Sequence, residues 1–72
     1  MYTISTTTAR PTIQGTVENC TATLARMNFD TYEGACAAAR QYAAAYGAFY
    51  VKPATEAPTL KEGQTYVEVV AA

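Results

Sequence analysis

The stretch "DTYEGACAAARQYAAAYG", residues 30 to 47, restricts the fold more than any other part of the chain. Asp30 can cap a helix N-terminus, with Glu33 three residues later at capping-box spacing. Gly47 follows the last periodic residue, where a left-handed cap favours glycine. The spacing predicts a helix over 31–46, about four turns long. At helical periodicity Tyr32, Ala35, Cys36, Ala39, Tyr42, Ala43 and Tyr46 fall within one arc of roughly 120°. Alanine along the middle of that arc lets a helix backbone come close to a sheet. The tyrosines are expected at its flanks, with their hydroxyls reaching water.

The flanking segments read as strands. Residues 2 to 9, "YTISTTTA", are rich in β-branched residues. Tyr2, Ile4 and Thr6 share one face by alternation, and Arg10-Pro11 is expected to end the strand. Residues 12–17 alternate with Ile13, Gly15 and Val17 on one side, Glu18-Asn19 suggests a turn, and residues 20–27 alternate again. The alternative is one long bulged strand over 12–27, paired with the N-terminal one. After the helix, "AFYVKP" sets Phe49 and Val51 against Ala48, Tyr50 and Lys52, and Pro53 ends it. Residues 53–64 hold two prolines and a glycine and read as a loop. Residues 65–71 form a last strand, with Val67 and Val69 facing one way and Tyr66, Glu68 and Val70 the other.

The expected fold is therefore a single α+β domain spanning 1–72. It is a mainly antiparallel sheet of four to five strands with one helix packed on one face, in the order β-β-β-α-β-β. A chain of 72 residues has little surface to bury, and much of its apolar half is alanine. Six tyrosines must supply part of the core, or a partner must complete it.

Composition narrows the function. There is no histidine, which removes the commonest general base and metal ligand. Ser5, the only serine, lies in a threonine-rich strand. Cys20 and Cys36 are read as small core hydrophobes, and two sulfurs without histidine do not close a zinc site. Asp30 and Glu33 are accounted for by capping, and the other carboxylates show no paired spacing, although Glu68 is placed to pair with Lys52 across the sheet. No enzyme and no cofactor is expected. Net charge is −1, and Arg10, Arg26, Arg40, Lys52 and Lys61 are scattered, so direct nucleic-acid binding is not expected. Residues 1–5 lack the features of a signal peptide, and no run of about 18 apolar residues exists to span a membrane. The opening Met1 fits a complete small gene product in the cytoplasm.

Binding by contact remains. Two surfaces are expected to carry it. One is a helix-free sheet face bearing threonines, Tyr50, Tyr66 and Lys52. The other is the outer helix face, where Gly34, Ala38, Gln41 and Ala45 form a smooth stripe beside Arg40, and a second copy of the chain would suit it. Gly34 favours docking there, because a glycine inside a helix costs about 1 kcal/mol against alanine.

A product of this size, with strands, the capped helix "DTYEGACAAARQYAAAYG" and the strand "AFYVKP", resembles small phage-encoded inhibitors of bacterial defence, anti-CRISPR proteins among them. The similarity lies in size and element order. It implies stoichiometric inhibition of a host protein complex by surface occlusion, in the host cytoplasm. A self-assembling structural or accessory phage protein is the alternative, as is an oligomer that holds a small molecule between subunits.

Overall fold

In a computed structural model that describes residues 1–24 and 26–72, the chain forms four strands and one helix. The elements are β1 (Tyr2–Pro11), β2 (Val17–Thr23), α1 (Tyr32–Tyr46), β3 (Phe49–Tyr50) and β4 (Thr65–Ala71). The sheet order is β2-β1-β4-β3, so β1 and β4 are central. β1 pairs antiparallel with both β2 and β4, whereas β3 runs parallel to β4. The architecture is thus α+β with a mixed four-stranded sheet in the order β-β-α-β-β, one strand fewer than the longer expectation.

The missing strand is a turn. Residues 12–16 close the β1–β2 hairpin rather than forming a strand of their own. The Thr12 amide donates to the Thr16 carbonyl (2.8 Å) and the Gly15 amide to the Thr12 carbonyl (3.1 Å). The two threonine hydroxyls bond each other at 2.7 Å. Gly15 has φ +79°, the left-handed residue that ends a three-residue hairpin loop. Glu18 and Asn19, expected as a turn, lie within β2 opposite Arg10 and Ala9. β2 ends at Thr23, before the expected boundary at 27, and Ala25 of that segment lies outside the described residues. Leu24 and Phe29 both bond the start of β1: the Leu24 amide donates to the Ile4 carbonyl, and Tyr2 and Phe29 exchange two backbone bonds. The Thr3 hydroxyl bonds the carbonyls of Leu24 and Met27 at 2.9 and 2.8 Å.

Pro11 does not end β1. In the antiparallel ladder with β2 the bonded pairs fall on even positions of β1, as the Thr12 and Leu24 bonds show. The nitrogen of Pro11 therefore faces away from β2, at a point where β4, whose pairing stops at Thr8, has no strand to receive it.

The helix is capped by Thr31 rather than Asp30. The Thr31 hydroxyl accepts from the Gly34 amide at 3.1 Å, and Gly47 is left-handed at the other end. Ala35, Cys36, Ala39 and Ala43 are buried, Tyr42 is half-buried, and Tyr32 and Tyr46 are exposed at the rim. Ile4, Val67, Ala39 and Ala43 form the core, with Leu24, Met27, Phe29, Tyr42, Tyr50 and Val69 packed round it. The helix lies over β4, β1 and β3 and makes no contact with β2.

Candidate functional site

Alternation along each strand, combined with the pairing register, assigns every strand residue to a face. The helix side carries Tyr2, Ile4, Thr6 and Thr8 of β1, Thr65, Val67 and Val69 of β4, Tyr50 of β3, and Glu18, Cys20 and Ala22 of β2. The helix-free side carries Thr3, Ser5, Thr7 and Ala9 along its centre. Tyr66, Glu68 and Val70 lie on one flank of that row, and Val17, Asn19, Thr21 and Thr23 on the other. Phe49 stands opposite Tyr66 on the same face.

Two placements differ from expectation here. Tyr50 was expected beside Tyr66 on the open face. The parallel register pairs it with Val67 instead and turns it toward the helix, so the two rings do not share a surface. Phe49, expected to face the core, is 48% exposed on the open side. Nothing in the "AFYVKP" alternation tells one face from the other; only the partner strand does. Lys52 lies past the end of β3, exposed, and lines a cavity of about 120 Å³ together with Glu68, Tyr32 and Tyr50. Ala54 beside it has φ +61°, a conformation that strains a side chain.

The open face has a polar floor and apolar edges. Thr3, Ser5 and Thr7 are buried in the central strand between larger neighbours, and the Thr7 and Thr21 hydroxyls bond at 2.8 Å. Among the described residues no buried side-chain polar atom lacks a partner. Around this floor, Phe49 and Val17 are exposed, and Tyr66 and Val70 are half-buried. Glu68 is the only charged residue the four strands place on this side.

The outer helix face is less of a surface than the helical wheel suggests. Arg40, Gln41, Ala44 and Ala45 are exposed, but Ala38 is half-buried and packs against the core cluster. Gly34 sits in the first turn, not mid-helix. A Cβ there would lie 2.9 Å from the Thr31 hydroxyl oxygen, so the cap itself accounts for the glycine.

Under the helix, the Tyr50 phenol is pushed from its ordinary 10.0 up to about 12, chiefly by burial and then by a hydrogen bond with the Cys36 thiol. Cys36 is buried as expected, whereas Cys20 is half-exposed on β2, outside the core, and both are free thiols. At the other end of the helix, Tyr42 and Tyr46 stack with ring centroids 4.5 Å apart. They wall a groove of about 290 Å³ whose opposite side is Thr6, Thr8 and Thr65. Among the described residues no group of His, Cys, Asp and Glu side chains is placed to hold a metal ion. No helix is long and apolar enough to cross a membrane. Comparison of the chain with protein-family models, with curated proteins and with solved structures returned no match.

Proposed function

We propose that the protein is a non-enzymatic binding module that acts as a stoichiometric inhibitor of a host protein complex, of the bacterial-defence kind, by occluding a surface of its target. The observation that carries this reading is the one-sided sheet. A single helix covers one face, while the other presents Phe49, Tyr66, Val70 and Val17 around a threonine floor with one charge. Aromatic and apolar groups round a low-charge centre are the composition of a protein-binding patch. The exposed Arg40 and Gln41 on the helix are the secondary contact surface.

The test is affinity capture from a bacterial lysate with mass spectrometry, repeated with surface variants. Phe49→Ala combined with Tyr66→Ala is expected to abolish capture while the circular dichroism spectrum is kept. Glu56→Gln, on an exposed loop outside both surfaces, is expected to leave capture intact. Equal capture by the double variant and the original chain would remove the open face from the mechanism.

A second reading, sequestration of a small uncharged molecule, is favoured by the Tyr42–Tyr46 groove alone. Its lining of rings and hydroxyls carries no charge. Tyr46→Ala is expected to abolish such binding and to leave protein capture unchanged.

A further inference from the structure

β2 is the least protected element of the fold. It lies at the edge of the sheet, the helix does not reach it, and six of its seven residues are exposed. Natural edge strands are usually blunted by lysine, proline, a bulge or short length. β2, "VENCTAT", contains no lysine or proline, and Glu18 is its only charge. The opposite edge, β3, is two residues long and offers almost nothing to pair with.

The phase of the ladder decides which groups face outward. The bonds from Leu24 to Ile4 and from Thr12 to Thr16 put Glu18, Cys20 and Ala22 in the positions bonded to β1. The amides and carbonyls of Val17, Asn19, Thr21 and Thr23 therefore point away from the sheet. Among the described residues no backbone bond reaches them.

We infer that this edge pairs with the β2 edge of a second copy of the chain, antiparallel about a two-fold axis through Cys20. Outward groups must meet outward groups, so each odd position must oppose an odd position. Only the register centred on Cys20 then aligns all seven residues; a shift either way leaves two residues of each strand unpaired. In that register Asn19 opposes the partner's Thr21, and Val17 the partner's Thr23. Glu18 meets the partner's Ala22, so the one charge of each strand does not face its twin. Other even-sum registers lose length, and the one that centres on Glu18 sets like charges together. The result is a continuous eight-stranded sheet with an isologous interface. Strand pairing without helix contact covers little area, so the dimer is weak and concentration-dependent. The dimer uses the backbone edge of β2, which shares only Val17 with the patch proposed for target capture, and the inference does not depend on that reading.

Cys20 makes the register readable. It opposes the partner's Cys20 in a non-bonded pair, where Cα atoms lie about 4.5 Å apart, within the span a disulfide bridges. A diamide oxidant takes up the two electrons and two protons released as the Sγ–Sγ bond forms.

The experiment combines sedimentation of the reduced chain with diamide cross-linking of the Cys36→Ala variant. Concentration-dependent dimers and a rapid covalent dimer through Cys20 are expected. In a Cys20→Ser background, Asn19→Cys and Thr21→Cys are expected to cross-link far more slowly, since neither residue opposes itself. Asn19→Pro removes one outward amide and leaves the β1–β2 bonds intact, because the Asn19 amide does not face β1. It is expected to keep the fold by circular dichroism and to weaken self-association about tenfold or more, through two lost bonds per dimer. A strict monomer at the highest attainable concentration overturns the inference. So does undiminished association of folded Asn19→Pro, faster cross-linking at position 19 or 21, or an edge that takes a strand of another protein while the chain stays monomeric.

Discussion

Individual residues in this protein repeatedly serve a neighbour rather than a surface. Gly34 is the clearest case. Alanine in its place gains about 1 kcal/mol of helix propensity. It also forces the Thr31 oxygen, 2.9 Å from the new Cβ, out of its capping position. Loss of a threonine cap costs about 1 kcal/mol. Gly34→Ala is therefore expected to change unfolding free energy by less than about 0.5 kcal/mol, and Thr31→Ala to lower it by about 1 kcal/mol, both read by urea denaturation. Tyr50 gives a pH signature. Its proton is held up to about 12 in the folded chain against an ordinary 10.0. Between those values the folded state keeps a proton that the unfolded state releases. The Tyr50 contribution is thus intact below pH 10 and is lost as pH rises toward about 12. Comparison of the chain with Tyr50→Phe at about pH 9 and about pH 11 is expected to show a steeper alkaline loss for the tyrosine form. Neither role was legible in sequence. The Asp30–Glu33 spacing concealed the Thr31 cap one residue on, and the facing of Tyr50 depends on a strand 15 or more positions away.

At the scale of elements, local chemistry predicted what is local. The helix and β4 lie where periodicity put them, the latter at 65–71 to the residue. The hairpin tip mimics a strand because Ile13, Gly15 and Val17 alternate as strand residues do, and the glycine at 15, left-handed in the structure, is the one residue there that marks a turn. The parallel pairing of β3 with β4 had no local signal, since β3 is two residues long and its partner lies beyond a long loop. The alanine face of the helix carries an element-level prediction. Ala39 and Ala43 meet Ile4 and Val67 with almost no exposed surface. Ala39→Leu is expected to cost about 1–3 kcal/mol by overpacking, and Ala44→Leu on the exposed side to stay within about 0.5 kcal/mol, as measured by denaturant midpoint.

The molecule as a whole is long and thin, 41 × 22 × 18 Å, with one core seated where β1, β4 and the helix meet. So small a core leaves no reserve. Ile4→Ala removes a fully buried side chain at a cost of about 2–5 kcal/mol, comparable to the total stability of a domain this size. It is expected to abolish the cooperative thermal transition followed by circular dichroism. The core was foreseeable in outline, since Ala39 and Ala43 lay on the predicted inner arc of the helix and Val67 on the side of its strand opposite Tyr66, while alternation left the face of Ile4 unassigned. Which strand would lie uncovered was not, because that depends on strand order. Strand order also sets when the structure can form. β1, near the start of the chain, is flanked by β2 and by β4, and Tyr2 pairs with Ala71 while the Ala72 amide bonds the Met1 carbonyl. During synthesis on the ribosome the first hairpin has its strands early, but β4, half the seat for the helix, is the last of these four strands to be made. Until β4 is made, the alanine stripe has no β4 to close against, and the nascent chain waits as a hairpin and a frayed helix.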